Sequence, residues 1–329
     1  MPDDQSPTGR HTQKGVISPG SLNPNLRRIR KKPWRLEDYT SGIQKGDRVT
    51  LAKAITLIES TRREHQALAQ QIIEACLPMS GQSVRIGITG TPGVGKSTFI
   101  EAFGLHVLKE GRKLAVLAVD PTSQVTQGSI LGDKTREAII LCEAAGYDTI
   151  LIETVGVGQS ETAVHSMTDF FLLLLLPGAG DELQGIKRGI VEMADLAVVN
   201  KADGERLPLA KQAKQEYRNA MHLFPPKESE WVARVEICSA TTGMGIPEVW
   251  KDIQAYQEQT RANGYFEHNR RAQARYWLHE TINRELRQLF FNHETVRSQL
   301  EEVERQVMNG QQSSFHAAEA LLQAFREQK

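Results

Sequence analysis

The chain has 329 residues, enough for one large α/β domain with extensions or for two modest domains. Its 40 basic and 40 acidic side chains give no net charge, which argues against a nucleic-acid binder held by bulk electrostatics. The longest apolar run has seven residues, far short of the roughly 20 of a membrane-spanning helix. Three widely separated cysteines suit a reducing cytosol. We therefore expect a cytoplasmic protein, with the mitochondrial matrix less favoured, and neither nucleic acid nor a membrane as partner.

The N-terminal part of the chain changes character after residue 35. Residues 1–35 combine Pro, Gly, Ser and basic side chains with few apolar ones, and this composition predicts a disordered basic tail. In residues 36–80 the apolar side chains recur at helical spacing, first over residues 51–58 and again over residues 68–76. We interpret residues 36–80 as an N-terminal helical extension.

Residues 81–262 alternate between short apolar runs and amphipathic segments. This β-α-β order predicts an α/β fold with a doubly wound, mostly parallel sheet. The predicted strands are Val84–Thr89, Leu114–Val119, Thr149–Glu153, Phe170–Leu176, Leu196–Asn200 and Val232–Ser239. The predicted helices are Ser97–Glu110, Glu137–Ala145, Gly185–Ala194, Leu209–Phe224 and Ile246–Gln257.

A complete G-x-x-x-x-G-K-S loop lies between the first predicted strand and its helix. Backbone N–H groups of such a loop converge on phosphates, its lysine reaches the β- and γ-phosphates, and its hydroxyl ligates Mg²⁺. The fold class is therefore predicted to be that of the P-loop NTPases, with Lys96 catalytic and Ser97 a metal ligand. The predicted nucleotide-binding residues here are Gly90, Thr91, Pro92, Gly93, Val94, Gly95, Lys96, Ser97 and Thr98.

An N-K-x-D motif follows the fifth predicted strand and bears on the identity of the base. Asp203 can accept hydrogen bonds from N1–H and the 2-amino group of guanine, whereas adenine would leave this carboxylate unpaired. We expect Asn200 to brace the base edge and the loop, and the stem of Lys201 to lie against the ring. Ser239 and Ala240 follow the next strand, where a backbone N–H can meet guanine O6. The predicted ligands are therefore GTP and GDP, with Mg²⁺.

Acidic residues at strand ends between these motifs are candidates for holding Mg²⁺ and sensing the γ-phosphate. Glu153 is the first residue of an acidic-x-x-Gly motif that ends at Gly156. In such a motif the carboxylate holds the ion and the glycine N–H senses the γ-phosphate. Asp120 ends the preceding strand, and Asp133 lies in a Gly-flanked loop that suits a mobile switch. We predict that Asp120, Asp133 and Glu153 are both catalytic and metal-binding.

The residue after Gly156 is Val157, where many regulatory GTPases place a water-orienting Gln. Because valine cannot orient water, intrinsic hydrolysis is expected to be slow unless Gln159, Asp120 or a partner residue substitutes. Gln159 is therefore a further catalytic candidate, in a GTPase that a partner stimulates.

Residues 263–329 predict long amphipathic helices without strands. Their apolar stripe either packs back on the core or meets the same arm of a second subunit. We predict the second arrangement, a homodimer formed through this arm. The stripe consists of Trp277, Ile282, Leu286, Leu289 and Phe290, continued by Val296, Leu300 and Val303.

Several segments together resemble the MeaB/ArgK GTPases, the methylmalonyl-CoA mutase-associated G proteins that include the human cobalamin type A protein. They are Gly90–Phe99, Val119–Pro121, Gly128–Arg136, Glu153–Glu161, Gly180–Lys187 and Asn200–Gly204. The resemblance runs from about Leu36 to the C-terminus. It implies a homodimeric GTPase chaperone of an adenosylcobalamin-dependent acyl-CoA mutase, most often methylmalonyl-CoA mutase. Such a chaperone gates cofactor loading, protects the holoenzyme and helps to eject damaged cofactor. The resemblance also implies that Gly180–Lys187 is a switch that reports nucleotide state to the mutase.

The sequence departs from this family directly after Arg136. There the family continues through a helix, a strand and a Gly-rich loop before the helix that is predicted here from Glu137. Relative to that pattern, one α–β unit of roughly thirty residues is missing. Either a disordered stretch is left out of this sequence, or the deletion is real and the GTPase cycle is compromised. A lost strand is expected to expose core and to weaken support for the switch.

Two other functions remain open at this point. A nickel-insertion GTPase commonly carries His- or Cys-rich stretches, and the nine histidines and three cysteines here are scattered. A P-loop kinase acting on a small molecule or protein would use ATP, which the N-K-x-D motif disfavours.

Overall fold

The computed structural model describes residues 34–60, 62–119, 130–154, 160–178 and 188–327. The chain divides into two units, Met1–Arg35 and Leu36–Lys329, and every element described below lies in the second. Three helices, α1 (Leu36–Gln44), α2 (Arg48–Glu59) and α3 (Arg63–Cys76), precede the sheet. The Asp47 carboxylate caps α2 by accepting hydrogen bonds from the backbone N–H groups of its first turn.

A six-stranded parallel sheet forms the centre of the second unit, in the strand order β2-β3-β1-β4-β5-β6. The predicted doubly wound α/β fold is therefore confirmed. The strands are β1 (Val84–Gly90), β2 (Leu114–Val119), β3 (Thr149–Thr154), β4 (Phe170–Leu175), β5 (Leu196–Val199) and β6 (Arg234–Ile237). The helices between them are α4 (Lys96–Lys109), α5 (Ile130–Ala144), α6 (Ser160–His165), α7 (Arg188–Met193), α8 (Leu207–Met221) and α9 (Ile246–Ala262).

The sheet is buried on both faces, as β4 illustrates. Leu172 and Leu174 belong to a core cluster that includes Phe99 of α4 and Trp250 of α9. Their neighbours along the same strand belong to a second cluster, which includes Tyr217 of α8. Because side chains alternate across a strand, this division places helices against both faces of the sheet.

The edge strand β2 is the exception to this burial. It pairs with β3 in register from Leu114 to Val119, but its Val116 side chain is 46% exposed. Val116 therefore leaves apolar surface open at this edge of the sheet. The predicted start of the following helix at Glu137 is wrong, because α5 already begins at Ile130.

The C-terminal arm consists of α10 (Tyr265–Phe291), α11 (Glu294–Met308) and α12 (Ser314–Glu327). Arg270 of α10 donates to the Asp169 carboxylate at 2.8 and 2.7 Å, and to the backbone oxygens of Gly81 and Ser83 at 2.6 Å. This buried Arg270–Asp169 pair attaches the arm to the segments that lead into β1 and β4. No helix of the described residues is both long and apolar enough to span a membrane.

The stripe predicted on the arm needs a correction. Trp277 is 3% exposed, and its indole N–H donates to the backbone oxygen of Ser166, so it packs inside its own protomer. The Phe290 ring contacts Phe325 of α12, with ring centroids 5.5 Å apart. Val296 is also buried. The helical spacing was read correctly, but α10 has apolar side chains on two faces. The aliphatic side chains left exposed on it are Leu278, Ile282, Leu286 and Leu289.

Candidate functional site

The predicted nucleotide-binding residues lie at the carboxyl ends of four strands. The P-loop joins β1 to α4, Glu153 lies near the end of β3, and the segments after β5 and β6 carry the N-K-x-D and Ser-Ala motifs. Because the strands are parallel, these ends meet at one edge of the sheet, which is where open α/β sheets bind ligands.

Two glycines permit the close packing of the P-loop. Gly95 has φ +89°, and a Cβ atom there would lie 3.1 Å from Asn200 Nδ2. A Cβ atom on Gly90 would lie 2.6 Å from the backbone oxygen of Leu174. Larger residues would therefore push the loop away from β4 and from the N-K-x-D segment.

Asn200 connects three segments of the site. It is 1% exposed, and its Nδ2 donates to the backbone oxygen of Val94 at 2.9 Å. Its Oδ1 accepts from the Ala240 backbone N–H at 3.2 Å and from the Cys238 thiol at 3.4 Å. The side chain therefore fixes the P-loop and the Ser-Ala segment relative to each other, and its bonds to Val94 and Cys238 are buried.

Lys201 crosses the same gap from an unusual backbone conformation. Its φ is +60°, which is rare for a residue other than glycine. Its Nζ donates to the backbone oxygen of Gly93 at 2.7 Å, so the aliphatic stem extends across the crevice between the two loops. Strained backbone of this kind is typical of binding sites that the surrounding structure holds in place.

The Asp203 carboxylate is positioned by two hydroxyl groups. Its Oδ2 accepts from Ser239 Oγ at 2.6 Å and from Thr241 Oγ1 at 2.9 Å. These hydrogen bonds, Ser239 first, lower the pKa of Asp203, so the carboxylate is ionised and acts as an acceptor at neutral pH. Sequence reasoning missed Thr241, although its place directly after Ser-Ala was a usable signal.

Lys96 lies near two carboxylates. Its Nζ donates to the backbone oxygen of Gly90 at 2.7 Å. Burial lowers the pKa of Lys96, while the negative charges of Glu153 and Glu161 act in the opposite direction. Glu161, in the first turn of α6, is 3% exposed and was not among the predicted site residues. Its burial beside the P-loop lysine makes it a candidate to hold that side chain in position.

A buried pair of hydroxyls joins the strand ends beneath the crevice. Thr89 Oγ1 and Thr154 Oγ1 are 3.0 Å apart and hydrogen-bonded. Thr89 directly precedes the P-loop, and Thr154 directly follows Glu153, so the contact sets the spacing between phosphate loop and acid. Sequence reasoning did not identify this pair, because isolated threonines in strands carry no motif.

The described residues provide part of the expected magnesium site. Ser97 lies in the first turn of α4 and Glu153 at the end of β3, and a hydroxyl and a carboxylate are the oxygen donors that Mg²⁺ prefers. No group of three or more His, Cys, Asp or Glu side chains in the described ranges could hold a metal ion by itself.

Several predicted residues cannot be placed in the crevice. Asp120, Gly156 and Gln159 lie outside the described residues, as does the proposed switch at 180–187. Asp133 belongs to α5, but its side chain lies outside the description. Their assigned roles stay predictions.

Known proteins resemble this chain along most of its length. "GTPase ArgK" of Escherichia coli is 44% identical over 307 residues, covering 84% of this chain and 88% of that protein. "Methylmalonic aciduria type A homolog, mitochondrial" of Mus musculus is 39% identical, covering 97% and 89%. A solved structure, of a protein described as a LAO/AO transport system kinase, is 38% identical with TM-score 0.74, covering 88% of this chain and 96% of that one.

The alignment with the E. coli protein also bears on the missing unit. It runs over 307 positions, whereas 84% of the 329 residues is about 276, so about 30 aligned positions have no counterpart in this chain. The family model described as "Methylmalonyl Co-A mutase-associated GTPase MeaB" matches in two pieces, residues 51–138 and 134–295. The pieces meet at the place where the sequence departs from the family. With these matches and this site, the chain belongs to the MeaB family of methylmalonyl Co-A mutase-associated GTPases.

Proposed function

We propose that this GTPase uses its nucleotide cycle to gate adenosylcobalamin loading of a B12-dependent acyl-CoA mutase, and to protect and reactivate that enzyme. The mutase that we favour is methylmalonyl-CoA mutase. The observation that carries the guanine specificity is the Asp203 carboxylate, held by Ser239 and Thr241. An ionised acceptor fixed by two donors cannot turn away from the base. ATP would therefore leave it facing an acceptor, at a cost of orders of magnitude in affinity.

The remaining site residues take the following roles in the proposal. Lys96 moves from the Gly90 backbone oxygen to the β- and γ-phosphates, where it stabilises charge that develops during hydrolysis. Ser97, Glu153, Asp120 and Asp133 hold Mg²⁺, directly or through water. When bound, Mg²⁺ neutralises charge on the β- and γ-phosphate oxygens.

The attacking water needs a residue that orients it for hydrolysis. Val157 cannot orient it, so Gln159, Asp120 or a mutase residue supplies that function, and Gly156 senses the γ-phosphate. Basal hydrolysis is therefore slow and increases when the mutase binds.

The mutase partner is supported by the family description and by the printed name of the mouse relative. We infer a homodimer through α10, because Leu286 and Leu289 are 57% and 60% exposed on one face of that helix. Residues 36–80, 81–262 and 263–329 then act as helical extension, GTPase domain and dimerisation arm, after a basic tail at residues 1–35. A cytoplasmic location completes the proposal.

The test measures steady-state hydrolysis with GTP or ATP, alone and with saturating purified methylmalonyl-CoA mutase. We expect turnover of GTP only, with an increase on adding the mutase. A urease or hydrogenase apo-enzyme serves as the control for a nickel-insertion role, and the proposal predicts no increase with it. Equal competition by ATP against labelled GTP would instead favour a kinase, and absence of mutase stimulation would refute the partner assignment.

A further inference from the structure

A small polar cavity of about 270 Å³ lies between α3, α5 and α10. None of its lining residues belongs to the nucleotide site described above. Three of them are cations, Lys134, Arg136 and Arg284, and two are acids, Glu137 and Glu285. The cavity therefore has a net positive lining.

The cations of this cavity differ in their pairing. Lys134 forms an ion pair with Glu137 at 3.5 Å, and Arg284 forms one with Glu285 at 3.1 Å. Arg136 makes no ion pair with any acid in the described part of the chain. Its guanidinium instead lies over the Trp277 ring, 5.3 Å from the centroid.

The surroundings of Arg136 compensate its charge only in part. Burial and the nearby positive charge of Arg85, in that order, lower the pKa of Arg136 to about 10, while the negative charge of Glu137 acts in the opposite direction, so the group is still charged at neutral pH. The carboxylate of Glu143 is already engaged by Arg85 at 3.0 and 2.9 Å. Glu137 attracts this guanidinium but forms its ion pair with Lys134, so an anion in the cavity would give half-buried Arg136 a direct ionic contact.

We propose that this cavity binds a phosphate-sized oxyanion through Arg136, with Lys134 and Arg284 flanking it. A planar guanidinium is suited to bidentate binding of a tetrahedral oxyanion, and the indole below holds its orientation. The volume falls below the roughly 300–1,000 Å³ of sites for drug-sized ligands, which favours a small anion over a whole nucleotide.

The cavity lies at the end of the family-like segment Gly128–Arg136. Lys134, Arg136 and Glu137 lie within residues 134–138, which both pieces of the family match cover. Because α5 and α10 both line the cavity, a bound anion would also stabilise the contact between the sheet domain and the arm.

The experiment titrates sodium phosphate into a Lys96→Ala variant at constant ionic strength, with sodium chloride as the blank. The variant removes the P-loop cation and so suppresses phosphate binding at the nucleotide site. Calorimetry and tryptophan fluorescence are both recorded. We expect saturable binding that Arg136→Gln, added to this background, weakens about tenfold. Arg305→Gln, an exposed arginine on α11, is the matched control and should leave the affinity unchanged.

Two further variants keep the proposal falsifiable if Arg136→Gln does not fold. Arg284→Gln should weaken binding about threefold, since it removes a flanking charge. Trp277→Phe should retain the heat of binding and abolish the fluorescence change, because Trp277 lies beneath the site. Absence of saturable binding overturns the proposal. So does equal affinity with and without the Arg136 guanidinium, or a fluorescence change that survives in Trp277→Phe.

Discussion

Replacing Arg270 with Gln is expected to lower the free energy of unfolding by about 3–5 kcal/mol, because it breaks a buried ion pair from one side. The guanidinium makes two hydrogen bonds to Asp169, and one each to the backbone oxygens of Gly81 and Ser83. Without it the Asp169 carboxylate, 4% exposed, retains the backbone N–H of Arg85 as donor. The negative charge then stays buried without a cation, which accounts for most of the loss.

Equilibrium unfolding in urea, followed by tryptophan fluorescence and circular dichroism, measures this change. Arg275→Gln on the same helix is the control, because that side chain is exposed, and its effect should lie within about 0.5 kcal/mol. The double variant Asp169→Asn with Arg270→Gln should recover part of the loss, since it also removes the unpaired charge. A decrease of less than about 1 kcal/mol in the free energy of unfolding of Arg270→Gln would refute the reasoning, because breaking a buried ion pair from one side destabilises a protein by more than this.

Other predictions concern the nucleotide site and the arm. Lys96→Ala should abolish tight GTP binding by calorimetry, and unchanged affinity would reject the P-loop assignment. Asp203→Asn should shift preference from GTP towards XTP, whose 2-oxo group accepts from the new amide; retained GTP selectivity would count against base reading by Asp203. Because the folded pKa of Asp203 is lowered, guanine selectivity should persist from pH 7 down to the ordinary aspartate pKa of 3.8 and be lost only as pH falls further, through the lowered pKa. Leu286→Glu with Leu289→Glu should give monomers that still bind GTP, and light scattering that finds the unmodified protein monomeric at micromolar concentration would contradict this.

The fold was predictable because each strand is a short apolar run with turn residues at its ends. β2 was predicted with the observed bounds, and β1, β3, β4 and β5 within one residue at either end. The errors lie in elements whose extent or burial is decided by contacts with the rest of the fold. Helix α5 extends seven residues further towards the N-terminus than its apolar spacing indicates, and α6 was not predicted at all. Trp277 was assigned to an exposed stripe because a helical period cannot distinguish a face covered by the same chain from one left for a partner.

The candidate site was predictable to the extent that it consists of motifs. The contacts of Asn200 with Val94 and Ala240 follow from the placement of three motifs at one sheet edge. Glu161 and Thr241 were missed because their roles come from proximity in space, to Lys96 and Asp203 respectively, and neither residue type is diagnostic alone.

The unprotected outer side of β2 also explains why a shortened chain can keep this architecture. Deleting an interior strand would separate neighbours and leave two rows of backbone groups to find new partners, whereas here β2 and β3 stay paired from Leu114 to Val119. The strands that carry the phosphate loop and the base-reading segments, β1, β5 and β6, lie away from this edge, and two buried core clusters pack on the sheet. Chain length beside β2 can therefore differ without breaking the strand pairings that position the nucleotide loops.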